Sequence, residues 1–122
     1  MANKGRHINR LKKNSDFLDL RLRGQKIRGS DWLQIQFIKS DEGPLLVGVT
    51  VSRKVGIAVV RNKLKRWCHE YFNKNRQRFE GLSGRFNFLF RPHNSQNFYK
   101  ELEHELFDKT ISQALKSFRI SD

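Results

Sequence analysis

One stretch, Thr50–Phe72 (TVSRKVGIAVVRNKLKRWCHEYF), constrains this chain more than any other. Its first residues have the pattern of a strand and its last ~15 that of a helix with two unlike faces. At about 100° per residue, Ile57, Val60, Leu64, Trp67, Cys68, Tyr71 and Phe72 fall in one apolar stripe. Asn62, Lys65, Arg66, His69 and Arg76 share the far side, with Arg61 on the border. The stripe must be buried, whereas the far side presents cations about one helical turn apart, a spacing suited to a line of phosphates. A basic helix face is often only solvated surface. Here Glu70 is the only carboxylate between Lys54 and Phe79, so acidic partners for i,i+4 pairing are nearly absent. Unrelieved like charge costs stability and calls for an anionic partner.

Charge along the whole chain has the same asymmetry. The formal net charge is +13 with a pI near 10.5, within the range of nucleic-acid-binding domains. Residues 1–79 hold 19 Lys+Arg against 6 Asp+Glu, and residues 80–122 hold 6 against 6. One surface is thus expected to bind an anion and another is not. The 122 residues make a single domain, and ten Phe and two Trp supply its core although hydrophobic residues are only 37%. No apolar run reaches the ~18 residues of a membrane span, and the basic start lacks a signal-peptide apolar region, so a cytoplasmic protein is expected. The lone Cys68 lies on the apolar stripe and cannot form an internal disulfide. Four scattered His without ligand spacing give no reason to expect a metal held by the protein.

In chain order, residues 1–12 read as a flexible basic arm. Asn14 or Ser15 is placed to cap a helix from Asp16 to Arg23, ended by Gly24. Alternation from Ile27 to Lys39 predicts a strand with Leu33, Ile35 and Phe37 on one face and Gln34, Gln36, Trp32 and Ile38 on the other. The turn residues Ser40–Pro44 then predict a hairpin to a strand at Leu45–Val51. On that strand Val47, Val49 and Val51 should face the core, leaving Gly48 and Thr50, with Ser52, on an open side that a ligand can approach. The central helix is expected to reach Phe79, a third strand to run from Arg85 to Phe90, and a last helix from Phe98 to Phe118. That helix carries Leu106 and Phe107 in its apolar set and is acidic through Glu101, Glu103, Glu105 and Asp108. The resulting order is α-β-β-α-β-α, an α/β (α+β) domain.

The run SRKVGIAVVRNKLKR resembles the signature of the protein subunit of bacterial ribonuclease P. RLKKNSDF (10–17), FNFLFRP (86–92) and FYKELEHEL (98–106) are similar to further parts of that family in the right order. The resemblance implies a two-layer sandwich, with helices on one side of a small mixed sheet and a left-handed βαβ crossover. It implies an endoribonuclease that works as an RNA–protein holoenzyme: the catalytic RNA, using magnesium ions that it mainly holds itself, removes the 5′ leader of precursor tRNA. The protein, itself without catalytic residues, would bind that RNA and the leader.

Carried over position by position, Arg61, Asn62, Lys63, Lys65, Arg66 and His69 would contact the catalytic RNA. Phe17, Arg21, Thr50, Ser52, Arg53, Lys54 and Arg91 would hold the leader, Phe17 by stacking. A structural hydrogen-bonding role for Arg61 or Asn62, and a core role for Phe17, remain open. Two positions depart from the family pattern: Arg21 stands where a second aromatic is usual, and His69 where an arginine is usual. The alternation puts Ile35 in the core, where the family often has an aromatic. A ribosomal or RNA-chaperone protein would share the charge pattern, whereas a self-sufficient nuclease would need a catalytic constellation that the sequence does not offer.

Overall fold

A computed structural model describes residues 9–118, with 42, 80 and 96 excepted. The elements run β1 (Asn9–Arg10), α1 (Asn14–Arg23), β2 (Gln25–Ser30), β3 (Leu33–Lys39), β4 (Leu45–Val51), a 3-10 turn (Arg53–Val55) and α2 (Ala58–Lys74). A second 3-10 turn (Arg76–Phe79), β5 (Gly84–Phe90), α3 (Phe98–Glu101) and α4 (His104–Phe118) follow. The five strands among the described residues form one mixed sheet in the order β1-β4-β5-β3-β2. β1, β4 and β5 run parallel, and β3 is antiparallel to both β5 and β2. The mixed α+β class is as expected, but the element order is richer than α-β-β-α-β-α.

Three differences have clear causes. The single strand expected over 27–39 is a hairpin, β2 and β3, folded at Asp31–Trp32, where the Ser30 hydroxyl accepts the Trp32 N–H at 3.2 Å. Trp32 therefore leaves the polar face and is buried against Phe90 and Tyr99. The hairpin expected between 27–39 and 45–51 does not form, because β5 lies between β3 and β4 and pairs with both. β5 carries Phe86, Phe88 and Phe90, all essentially inaccessible, so the strand with three inward phenylalanines takes the centre of the five. The end of the arm is also ordered: Asn9 and Arg10 pair with Leu46 and Val47, and Leu11 is buried. Residues 1–8, the rest of the expected flexible arm, lie outside the described residues.

The core occupies one face of the sheet. Phe86, Phe88, Phe90, Leu33, Ile35, Phe37 and Val47 meet Val60, Leu64, Cys68 and Phe72 of α2 and Phe107, Ile111 and Leu115 of α4. Each such ring contributes about 1.5–3 kcal/mol over leaving it in water. A hydrogen bond between the Tyr71 and Ser112 hydroxyls, 2.8 Å, ties α2 to α4. Ile57 is the exception on the predicted stripe: it is the N-cap of α2 and 70% exposed. α2 stops at Lys74, where Asn75 leaves helical geometry and folds its side-chain amide onto the Tyr71 carbonyl at 2.8 Å. The 3-10 turn that follows brings Phe79 against Phe72. The last helix is likewise broken, at the extended Leu102, whose side chain turns inward while Leu106 remains exposed.

α1 corrects a further expectation, since it lies on the opposite face of the sheet, across β3 and β5. Its N-cap is Lys13, with no side-chain cap from Asn14 or Ser15, and Gly24 closes it by donating its N–H to the Leu20 carbonyl at 3.0 Å. What fastens it instead is Arg85, whose guanidinium reaches Asp16 at 2.7 Å and Asp19 at 3.6 Å. Arg85 alternates with Phe86, so one strand supplies both the core and the anchor of the opposite layer.

Candidate nucleic-acid interface

Two surfaces emerge from this arrangement, one on each side of the sheet, and the 3-10 turn at Arg53–Val55 is the corner that joins them. The first is the outward side of α2. With Val60, Leu64, Cys68 and Phe72 buried, Asn62, Lys65 and Arg66 are exposed and His69 is half-buried. Arg66 approaches Glu70 at 3.8 Å, but both groups are more than half exposed, so the pair leaves the guanidinium largely available. Partial burial, and then the charge of Arg10, hold the His69 imidazole below its usual pKa. His69 is therefore mainly neutral near pH 7 in the free protein.

Arg61 and Lys63 flank this line and have partners within the protein. The Arg61 Nε donates to the Gly56 carbonyl at 3.0 Å, clamping the turn that launches α2. The Lys63 ammonium donates to the carbonyls of Tyr99 at 2.7 Å and Lys100 at 3.3 Å and sits 4.8 Å from the Trp67 ring centroid. Desolvation, and secondarily Arg66, lower its pKa. Of the six residues assigned to the helix surface, Asn62, Lys65, Arg66 and His69 form the outward row.

The second surface is the polar face of the sheet. Strand register sets its rows: Gly48, Asn87, Gln36 and Lys26 in one, and Thr50, Leu89, Gln34 and Arg28 in the next. Phe17 of α1 packs over the first row. A Cβ on Gly48 would stand 2.6 Å from the Phe17 ring, so glycine is what lets the ring approach the strand. Gly48 is thus covered by Phe17, not open as the sequence suggested, and the accessible part of the face begins at Thr50. Phe17 itself is half-buried, wedged against Gly48 yet outside the main core.

Beneath α1 runs a chain of hydrogen bonds across three strands. The Thr50 hydroxyl donates to Asn87 Oδ1 at 3.1 Å, Asn87 Nδ2 to Gln36 Oε1 at 3.1 Å, and Gln36 Nε2 to Gln34 Oε1 at 2.9 Å. The chain satisfies Gln36 and Asn87, both nearly inaccessible.

Cations ring this face. Arg21 is exposed one turn beyond Phe17, and Ser52, Arg53 and Lys54 are exposed where β4 ends. Arg91 emerges at the same end, since Val51 pairs with Phe90. Its backbone is pinned: the N–H donates to the Trp32 carbonyl at 2.9 Å, and its own carbonyl accepts the Tyr99 hydroxyl. Burial raises the Tyr99 pKa well above its usual value, with the bond to Arg91 a smaller opposing effect. Of the seven residues assigned to this surface, Phe17 and Thr50 lie on the sheet face and Ser52, Arg53, Lys54 and Arg91 at the end where β4 and β5 finish, while Arg21 is exposed on α1 one turn beyond Phe17.

Sequence reasoning missed Gln34, Leu89, Lys26 and Arg28 as parts of this face. Alternation placed Gln34 on it without a role, whereas Lys26 and Arg28 needed the β2–β3 hairpin to be recognised. Asp16 and Asp19 of α1 are paired with Arg85, and Arg23 further lowers the Asp19 pKa through its hydrogen bond. Among the described residues no three His, Cys, Asp or Glu gather where they could hold a metal ion. No helix among them is long and apolar enough to cross a membrane. The arrangement is suited to gripping a polyanion: a cationic ridge, and round a corner a small polar floor with an aromatic beside it.

The family model described as Ribonuclease P matches residues 6–117. The chain is 31% identical over 97 residues to the ribonuclease P protein component of Geotalea uraniireducens, covering 80% of this chain and 83% of the relative. It is 34% identical over 98 residues to that of Alkaliphilus metalliredigens, covering 80% and 86%. The fold is similar to the solved RNase P protein of Thermotoga maritima, with a TM-score of 0.75, 25% identity and coverage of 89% and 96%. The RNase P protein of Staphylococcus aureus has the same fold, with a TM-score of 0.71, 23% identity and coverage of 93% and 97%.

Proposed function

This chain belongs to the ribonuclease P protein family, and on that premise we propose that it grips two RNAs at once, the catalytic RNA and the 5′ leader of precursor tRNA. The outward row of α2, Asn62, Lys65, Arg66 and half-buried His69, lies along phosphates of the catalytic RNA. Arg61 and Lys63 flank that ridge on either side and add positive charge. The single-stranded leader crosses the polar sheet face, with Phe17 beside its bases and Arg21, Thr50, Ser52, Arg53, Lys54 and Arg91 on its sugars and phosphates. The observation that carries this reading is the corner at Arg53–Val55, which joins a cationic helix on one side of the sheet to an aromatic-flanked floor on the other.

The protein contributes binding and orientation. Magnesium ions, held mainly by the RNA, supply the hydrolytic chemistry, and the protein offers the leader a fixed path that lowers the concentration of metal required. Catalysis therefore resides in the RNA, and the assembled particle acts in the cytoplasm.

Reconstitution at limiting magnesium tests this directly. Full-length protein, cognate catalytic RNA and precursor tRNA are expected to give cleavage strongly enhanced by the protein and absent without the RNA. Cleavage by the protein alone would overturn the division of labour. Unchanged activity of the RNA would leave a basic RNA-binding protein with no part in tRNA maturation.

A further inference from the structure

Where β5 finishes, aromatic rings pass in a file from the core to the surface. Trp32 is buried, stacked on Phe90 with ring centroids 6.1 Å apart, and half-buried Phe98 tilts against it at 5.7 Å. His93 then lies flat on Phe98, with centroids 3.9 Å apart and planes within 7° of parallel. His93 is exposed, and no second ring among the described residues covers its other face.

The imidazole is fixed in this pose. Phe98 supports one face, and the Ser95 N–H donates to Nδ1 at 3.0 Å. The backbone leading to it is anchored as well, because the Arg91 N–H donates to the Trp32 carbonyl at 2.9 Å and the Arg91 carbonyl accepts the Tyr99 hydroxyl. A ring ordered in advance loses little further freedom when a flat partner settles on it. Two residues span at most about 7 Å, so the exposed side chain of Arg91 can reach a group lying over His93. The carboxylate at the adjoining β2–β3 turn, Asp31, is approached by Arg28 at 4.0 Å. A bare π face beside a guanidinium meets both needs of single-stranded RNA, stacking for the base and positive charge for the phosphate.

We infer that His93 is a stacking platform for an unpaired base of the 5′ leader. Its position favours the leader over the catalytic RNA, since it follows Arg91 at the end where Ser52, Arg53 and Lys54 also emerge. Phe17 packs over Gly48, at the level of Asn87, and a strand rises about 3.3 Å per residue, so Arg91 stands about 13 Å farther along. Phe17 and His93 therefore take different nucleotides. Every base has a π face, so His93 anchors a position without reading its identity. The inference rests on the reading that this sheet face holds the leader.

The test uses the holoenzyme with full-length protein, precursor tRNAs carrying one abasic residue at each leader position in turn, and mature tRNA without a leader. His93→Ala should weaken binding of the intact precursor about fivefold or more, the lower end of base–aromatic stacking. Binding of mature tRNA and assembly with the catalytic RNA should not change. His93→Tyr, which keeps a flat ring, should retain most of the affinity. At one leader position, distinct from the one that Phe17→Ala affects, the abasic residue should cost wild type the same factor and His93→Ala nothing further. If His93 only props Phe98, abasic penalties would be equal in wild type and His93→Ala at every position, and that result would overturn the assignment. An equal loss on mature tRNA, weakened assembly with the catalytic RNA, or a His93→Tyr protein as weak as His93→Ala would overturn it too. A protein that tightens no leader at all would instead overturn the underlying reading.

Discussion

Gly48→Ala tests the placement of Phe17 through the sign of a stability change. In an unobstructed strand interior, replacing glycine by alanine restricts the unfolded chain and stabilises the fold by about 0.4–1 kcal/mol. Here the added methyl would lie 2.6 Å and 2.8 Å from two atoms of the Phe17 ring and 3.1 Å from Leu11 Cδ2. Overpacking of this kind costs about 1–3 kcal/mol, which exceeds the entropic gain and leaves a net loss of roughly 1–2 kcal/mol. The ring is the movable party, so it should swing away from the strand. If it stacks on the leader, the holoenzyme would lose up to the ~1–3 kcal/mol typical of one base–aromatic contact. Urea unfolding of wild type, Gly48→Ala, Phe17→Ala and the double variant separates these effects. Once the ring is gone, Gly48→Ala should be close to neutral. A stabilising Gly48→Ala in the wild-type background, or an equal cost with and without Phe17, would refute the packing of α1 on β4.

Replacing Lys65 and Arg66 together by Ala should leave the urea midpoint almost unchanged. It should also lower the salt slope of RNA binding by about 1–2, near one for each lost phosphate contact, and an unchanged slope would remove α2 as the principal contact. Lys63→Met should do the reverse, costing about 1–2 kcal/mol of stability by releasing two carbonyls of α3 with little change in the slope. His69 titrates below its usual range in the folded chain, so the unfolded chain takes up the proton first as pH falls. Its contribution to stability is thus full above the ordinary histidine pKa of about 6.5 and declines below it. His69→Gln should lose less stability than wild type between about pH 8 and pH 5.5, and equal losses would contradict the burial of the ring.

The α2 unit was legible because its information is local. Val60, Leu64, Cys68 and Phe72 repeat at helical spacing, and no other element is needed to assign faces to Asn62, Lys65 and Arg66. What escaped was pairing. Ser40–Pro44 has good turn chemistry between two apolar strands, yet the partner of both is β5, more than 30 residues further on, and only the competition among strands for the central place decides that. Glycine at position 48 suggested open space, but glycine equally admits a ring, and Phe17 fills the gap. Arg61 and Lys63 appeared as cations like their neighbours, since the carbonyls of Gly56, Tyr99 and Lys100 that receive them are invisible to helical periodicity. The chain of hydrogen bonds beneath α1 combines both difficulties, because it joins residues from three strands whose order had to be known first.

The seam between α2 and α4 has a kinetic consequence. Glu70 and Asp108 meet there with Arg66, Lys74 and His104, while Glu101, Glu103 and Glu105 remain exposed along α3 and α4. Acidic groups are thus neutralised beside α2 while the chain keeps a net charge of +13, so a polyanion some distance away attracts the molecule before contact. Productive collisions become more frequent than random tumbling would allow, and that advantage shrinks as added salt shortens the reach of the field to about 10 Å at 0.1 M.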